Sequence, residues 1–161
     1  YAVNPSKTAA FAINFRVPQW SENFTATVGD KQWHGQKGEL LTINRKWNAG
    51  DHIAISFDMP LQIIPGGLSY PNAVAFKRGP QIMAVDRLLN PQIGSLKEVN
   101  AINNEMLTDA KSSLPGDWDW KQAYDVQMKV NDQPQKVVLV PFSEAGQKAS
   151  EIEVWVNRNR D

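Results

Sequence analysis

Apolar and polar residues alternate with a period of two along most of this chain. Phe11, Ile13, Phe15 and Val17 interleave with Ala12, Asn14 and Arg16, the pattern of a strand with one face on a core. Pro18 has no N–H to give to a ladder and ends that strand. Phe24, Ala26 and Val28 repeat the alternation. Gly29-Asp30 then supplies a turn able to take positive φ, and Lys31-Gln32-Trp33 forms the returning arm of a hairpin. Leu41, Ile43 and Arg45 lead to Trp47, and Asn48-Ala49-Gly50-Asp51 makes another turn. Ile53, Ile55, Phe57 and Met59 alternate most cleanly, up to Pro60.

Residues 61–72 hold two prolines and Gly66-Gly67 and read as a loop. Ala73 to Phe76 and Gln81 to Val85 are short strands on either side of the tight break Arg78-Gly79-Pro80. From 86 to 121 the alternation lapses, polar residues dominate, and at most one helical turn is expected around Asn103–Lys111. Ala123 to Val130 resumes the strand pattern, Asn131-Asp132 is a hairpin turn, and Lys136 to Val140 is apolar enough for a central strand. After a loop from Phe142 to Ser150, Ile152, Val154 and Val156 close the fold. Short strands at regular spacing predict an all-β chain with little helix: an antiparallel β-sandwich of jelly-roll type, in one module or two packed ones. The expected division is a core module over 1–85, a long polar connection over 86–121, and closing strands or a small second β module over 122–161.

Composition narrows the function. The chain has 161 residues, 42% of them apolar, which is enough to bury a core. Seventeen basic side chains balance 17 acidic ones, leaving no basic field for nucleic acid. The longest apolar runs, such as Val137 to Val140, are too short to span a bilayer, so no membrane partner is expected. There is no cysteine, which removes disulfides, a thiolate nucleophile and cysteine-based metal sites. The chain starts at Tyr1 in what reads as mid-strand, with no leader segment, and is expected to be a piece of a longer protein.

Few residues suggest chemistry. Six tryptophans are many for this length. Asp117-Trp118-Asp119-Trp120 lies in the polar stretch and pairs aromatic rings with carboxylates, as sugar sites do. The alternative is that Trp118 or Trp120 plugs the open end of the sandwich. Trp33, Trp47 and Trp155 read as core or rim, and Trp20 as an edge cap. Glu151 and Glu153 share a strand face, and like Asp117 and Asp119 they lack a partner that would split their pKa values for acid–base work. His34 and His52 have no second ligand at metal spacing, while a calcium ion held by Asp30, Asp51 or loop carbonyls would be compatible with the sandwich, though nothing in the sequence marks one. Asn23-Phe24-Thr25 matches a glycosylation pattern inside an expected strand. No catalytic residue, metal or cofactor is expected.

Three segments in order carry a family resemblance: Phe11 to Trp20 (FAINFRVPQW), Leu40 to Ile53 (LLTINRKWNAGDHI) followed by Met59-Pro60, and Ala73 to Pro80 (AVAFKRGP). Together with Val138 to Phe142 and Ile152 to Val156, they resemble the C-terminal β-sandwich region of glycoside hydrolase family 127 and related β-L-arabinofuranosidase-like proteins. The resemblance spans most of 1–85 and roughly 135–157. It departs from the family at Gly29-Asp30, where an Asn-Gly pair is expected, and in the loop from Ser143 to Ser150. It implies an exported bacterial enzyme, periplasmic or extracellular. The active site of such an enzyme, a cysteine nucleophile beside a cysteine- and glutamate-bound zinc, lies in an upstream (α/α)6 barrel, and no position here matches it. The carry-over is structural: Phe11, Ile13, Phe15, Trp47, Ile53, Ile55 and Phe76 fill the core, Gly50 and Gly79 supply turns, and Arg16 and Arg78 pair with Asp51 or another carboxylate or bond strand-end carbonyls. The chain alone is then a non-catalytic accessory region whose partner is the barrel of the same polypeptide. The alternatives are a carbohydrate-binding module built on Trp118 and Trp120, and an interaction domain forming a homodimer.

Overall fold

The computed structural model describes residues 1–102, 108–109, 114–119 and 122–158. Among them strands dominate and the helical segments are single 3-10 turns, so the chain is all-β, as its alternation predicts. It divides into two compact units, Tyr1–Pro60 and Leu61–Asp161.

In the first unit β2 (Ala9–Arg16) pairs antiparallel with β5 (Leu40–Trp47), while β4 (Lys31–Gly35), β3 (Phe24–Val28) and β7 (Ala54–Ser56) form a second antiparallel sheet. A short ladder joins β1 (Ala2–Val3) to β6 (Asp51–His52). Val3, Ala26, Val28, Ile43, Trp47 and Ile53 are buried between the layers, with Ile13, Phe15 and Ile55 packed on them. Phe11, expected in the core, is 37% exposed at the open end of this layer, and its carbonyl accepts the Trp47 indole N–H at 3.0 Å. Gly29 has φ +55° in the two-residue connection between Val28 and Lys31, so the missing Asn-Gly pair leaves the hairpin intact. Outside the core, Phe57 stacks on Phe24 and meets Trp20 edge-on.

The second unit is one sheet whose pairing closes on itself. The path runs from β10 (Gln81–Asp86) through β14 (Gln133–Pro141), β13 (Tyr124–Val130), β11 (Val99–Ala101) and β16 (Val156–Arg158) to β9 (Ala73–Arg78), which pairs back with β10. The β11–β16 contact is parallel, and the remaining ones are antiparallel. β8 (Leu61–Pro65) lies on the free side of β9, β15 (Ile152–Glu153) extends β10, and β12 (Thr108–Asp109) pairs with β13. Alternate residues point inward: Val74 and Phe76, Met83 and Val85, Tyr124 to Val130 by twos, Val137 and Leu139. Asn131 and Asp132 both have positive φ (51° and 59°) in a two-residue hairpin turn, which their short polar side chains tolerate.

Several expectations give way here. Phe76 fills the core of this unit and not that of the first. Strands over 73–86 pair with strands of 124–158, so the chain divides at Pro60/Leu61 and not after 85. Within the expected loop 61–72, Leu61–Pro65 is an edge strand, where a proline at the end costs no ladder bond. The stretch from 86 is more than a connection: 3-10 turns at Arg87–Leu89 and Leu96–Glu98 and strand β11 deliver Ile93, Leu96 and Val99 fully buried into the core. Of the helical turn expected around Asn103–Lys111, Thr108 and Asp109 are strand, and the remainder lies outside the described residues.

Candidate functional site

In the tryptophan–carboxylate segment, Trp118 does not stand as an open platform. Trp118 is 2% exposed, packed with Leu89, Ala123, Val138 and Val140, so neither ring face is free for a ligand. Its ring is part of a core cluster, and its indole N–H is buried without an acceptor among the described residues. Asp117 is turned out to Lys148 at 2.7 Å, and the Asp119 N–H donates to Gln147. Trp120 lies outside the described residues.

The other polar groups are mostly tied into the framework, among them Asp58, which was not marked in the sequence. Asp58 accepts from Ser21 Oγ, from the Glu22 and Asn23 N–H groups and from Asn23 Nδ2. Desolvation pushes its carboxyl up, but the backbone N–H groups of Asn23 and Glu22 and the side chains of Ser21 and Asn23 outweigh it and hold the pKa below the usual value. The same bonds commit the amide of Asn23, so the glycosylation pattern falls on a bonded turn. Glu153 accepts the Trp155 N–H and Glu151 gives its carbonyl to Arg87. Arg78 lies over the Tyr124 ring at 4.5 Å. Among the described residues no three of His, Asp and Glu converge as metal ligands, and the chain has no cysteine. A cysteine–zinc centre therefore has no ligand set among these residues.

Two further groups were not legible as special. Asp86 is fully buried and accepts from Leu88 N–H, Gly146 N–H and Ser150 Oγ, which anchors the 144–150 loop. Glu144 is 3% exposed with one carboxyl oxygen unbonded among the described residues, and burial pushes its pKa up.

One concavity gathers polar groups around an aromatic wall. It lies in the first unit, measures about 540 Å³, and is lined by Asp30, Lys31, Trp33, Arg45, Lys46 and Asp51. Its origin is an interruption of the apolar row of β5, where Leu41, Ile43 and Trp47 turn toward the core and the same row carries Arg45. Arg45 sits opposite Phe11 at the level where the core opens to solvent. The guanidinium carbon lies 4.9 Å from the Trp47 ring centre, Nε donates to the Lys46 carbonyl at 3.1 Å, and Nη2 is 3.8 Å from Asp51. Trp33, on the hairpin arm β4, is half-buried with part of its ring in the concavity. Asp30 and Asp51 do share this space, but beside three cations it suits an anion better than calcium. In the second unit an apolar groove of about 440 Å³ runs past Ile64, Ala75, Ile82, Phe142 and Trp155, with Tyr70 stacked on Trp155 at 4.7 Å.

Comparison with known proteins places this geometry in context. Residues 1–59 match the family model described as beta-L-arabinofuranosidase, GH127 middle domain. Residues 1–59 are thus similar to a GH127 domain, in line with the resemblance, and the matched model is of a middle domain where a C-terminal region was expected. The whole fold is similar to a solved glycoside hydrolase, with a TM-score of 0.76 at 19% identity, covering 99% of this chain and 29% of that one. It is also similar to Ara127N-Se, a GH127 β-L-arabinofuranosidase from Geobacillus stearothermophilus T6 (TM-score 0.69, 18% identity, 98% and 28% covered). A third likeness is to the GH127 β-arabinofuranosidase BT3674 (0.67, 16%, 94% and 28%). These likenesses are of fold, and the chain spans less than a third of the length of each. No curated protein sequence matches significantly.

Proposed function

We propose that this chain is a non-catalytic accessory β region of an exported bacterial glycoside hydrolase of the β-L-arabinofuranosidase-like kind, packing against the catalytic (α/α)6 barrel of the same polypeptide. The observation that carries this reading is one of proportion: the chain matches, nearly end to end, under a third of enzymes that share its fold. The chemistry of the side chains supports it. Asp58, Asp86 and Asp117 are committed to loop anchoring or lysine pairing, whereas glycoside cleavage needs two free carboxyl groups facing one bond, or an equivalent nucleophile. The apolar groove beside Tyr70 and Trp155 offers the second unit a surface suited to packing on another part of the polypeptide. Purified chain, assayed with an aryl β-L-arabinofuranoside with and without added zinc, is expected to give no turnover. Turnover that follows the protein through purification overturns the reading.

A further inference from the structure

We infer that the concavity at Arg45 binds a saccharide carrying a carboxylate. The inference stands on the first unit alone and does not depend on the accessory role proposed above.

Arg45 occupies a core-facing row of β5 between Ile43 and Trp47, both fully buried. A leucine or valine there would extend the core, and a guanidinium taken partly out of water costs free energy unless something is gained. The group is already held for use. Its plane rests against Trp47 and its Nε is committed to the Lys46 carbonyl. Asp51 lies beyond hydrogen-bond distance at 3.8 Å, and its Oδ2 accepts the Asn48 N–H of the turn at 3.0 Å. Among the described residues no hydrogen bond takes the terminal guanidinium nitrogens, which leaves a donor fork of the shape that matches a carboxylate.

The surrounding groups define the rest of the ligand. Lys31, Arg45 and Lys46 line the concavity with Asp30 and Asp51, three positive charges against two negative, so the space favours one negative charge. A phosphate dianion concentrates two charges on one group beside two carboxylates, whereas a uronate saccharide carries one per sugar residue, several ångströms apart. Trp33 presents a ring on which sugar C–H groups pack, and Asn44 and Asp30 offer an amide and a carboxylate to hydroxyls. The volume, about 540 Å³, lies within the roughly 300–1,000 Å³ usual for small-molecule sites. Gly29 at the rim has open space where a side chain would stand, so the hairpin turn leaves the entrance clear.

The test is calorimetric titration of the chain with trigalacturonate as probe, beside galactotriose and inorganic phosphate. Trigalacturonate is expected to bind, with galactotriose and phosphate each at least tenfold weaker. Arg45→Gln is expected to weaken trigalacturonate by roughly ten- to a hundredfold, the loss of one charged hydrogen-bonding partner. Lys31 is exposed and holds no core contact, so Lys31→Gln tests the same site in a chain that stays folded and should lose roughly threefold or more. No heat with trigalacturonate, equal affinity for galactotriose, equal affinity for phosphate, or unchanged binding in both variants each overturns the inference.

Discussion

Asn90 is fully buried, and its side chain does the work of a missing strand residue in the second unit. Strand β10 leaves β14 after pairing Val85 with Leu139, and the next residue of β14, Val138, has no strand partner on that side. The carboxamide of Asn90 takes the vacant place. It donates to the Val138 carbonyl at 2.9 Å, accepts the Val138 N–H at 2.8 Å, and with its second hydrogen holds the Asp86 carbonyl at 2.9 Å. Asn90→Ala leaves three buried backbone groups without partners, and an orphaned donor costs more than an orphaned carbonyl. At about 1–3 kcal/mol for the N–H and less for each carbonyl, the expected loss is about 3 kcal/mol. For a unit of this size that lowers Tm by roughly 12–20 °C. Tryptophan fluorescence during thermal or urea unfolding reads it directly, because Trp118 packs on Val138 and Leu89. Gln92→Ala is the control, since its amide also reaches a β14 carbonyl but in solvent, and should cost under about 1 kcal/mol. An Asn90→Ala loss no larger than that of Gln92→Ala refutes the argument that the carboxamide completes the ladder.

Three further outcomes follow from the geometry. Asp58 has its folded pKa below the ordinary value, so its bonds stabilise at pH values above about 4 and their contribution fades as pH falls through the lowered value. The stability gap between the native chain and Asp58→Asn should therefore be present at pH 6 and narrow as the pH falls below about 4. Glu144 runs the other way: its folded pKa is raised, so the native state holds its proton more tightly and stability is lost as pH rises through that value. Glu144→Gln should match the native Tm at pH 4 and exceed it at pH 8. At Gly66 a Cβ would lie 2.2 Å from the Tyr70 carbonyl oxygen and 2.4 Å from its Cβ, whereas at Gly67 (φ +60°) it would meet nothing. Gly66→Ala should cost roughly 1–3 kcal/mol by overpacking and disturb the emission of Trp155, on which Tyr70 stacks, while Gly67→Ala should cost about 1–2 kcal/mol of backbone strain and leave that emission alone.

What the sequence disclosed was whatever local chemistry decides. Gly29-Asp30, Gly79-Pro80 and Asn131-Asp132 are turns because their residues tolerate the φ values that two-residue hairpins require, and each sits where the alternation stops. The boundary at Pro60 was hidden, because Val74 finds Val156 and Met83 finds Pro141 across long separations that leave no mark in either segment. Ile93, Leu96 and Val99 enter the core from turns and a short strand, so neither a helical nor a strand period announced them. Trp118 stood among polar neighbours, and the partners that bury it come from Leu89, Val138 and Val140. Arg45 was visible as a charge in an apolar row, but the meeting of that charge with Trp33 and Asp51 exists only in three dimensions.

The ring of strands in the second unit also sets an order of events. β16 stands between β9 and β11 and closes a ring whose early and late strands are otherwise joined only through β10 and β14. During synthesis β9, β10, β11, β13 and β14 emerge first, with two raw edges exposed until Val156–Arg158 has cleared the ribosome. Closure then waits on contacts such as Val74 with Val156, whose sequence separation makes them slow to form. A chain stalled or clipped just before β16 carries nearly the whole core and an unfinished rim, which is the species most prone to pair with a neighbour and precipitate.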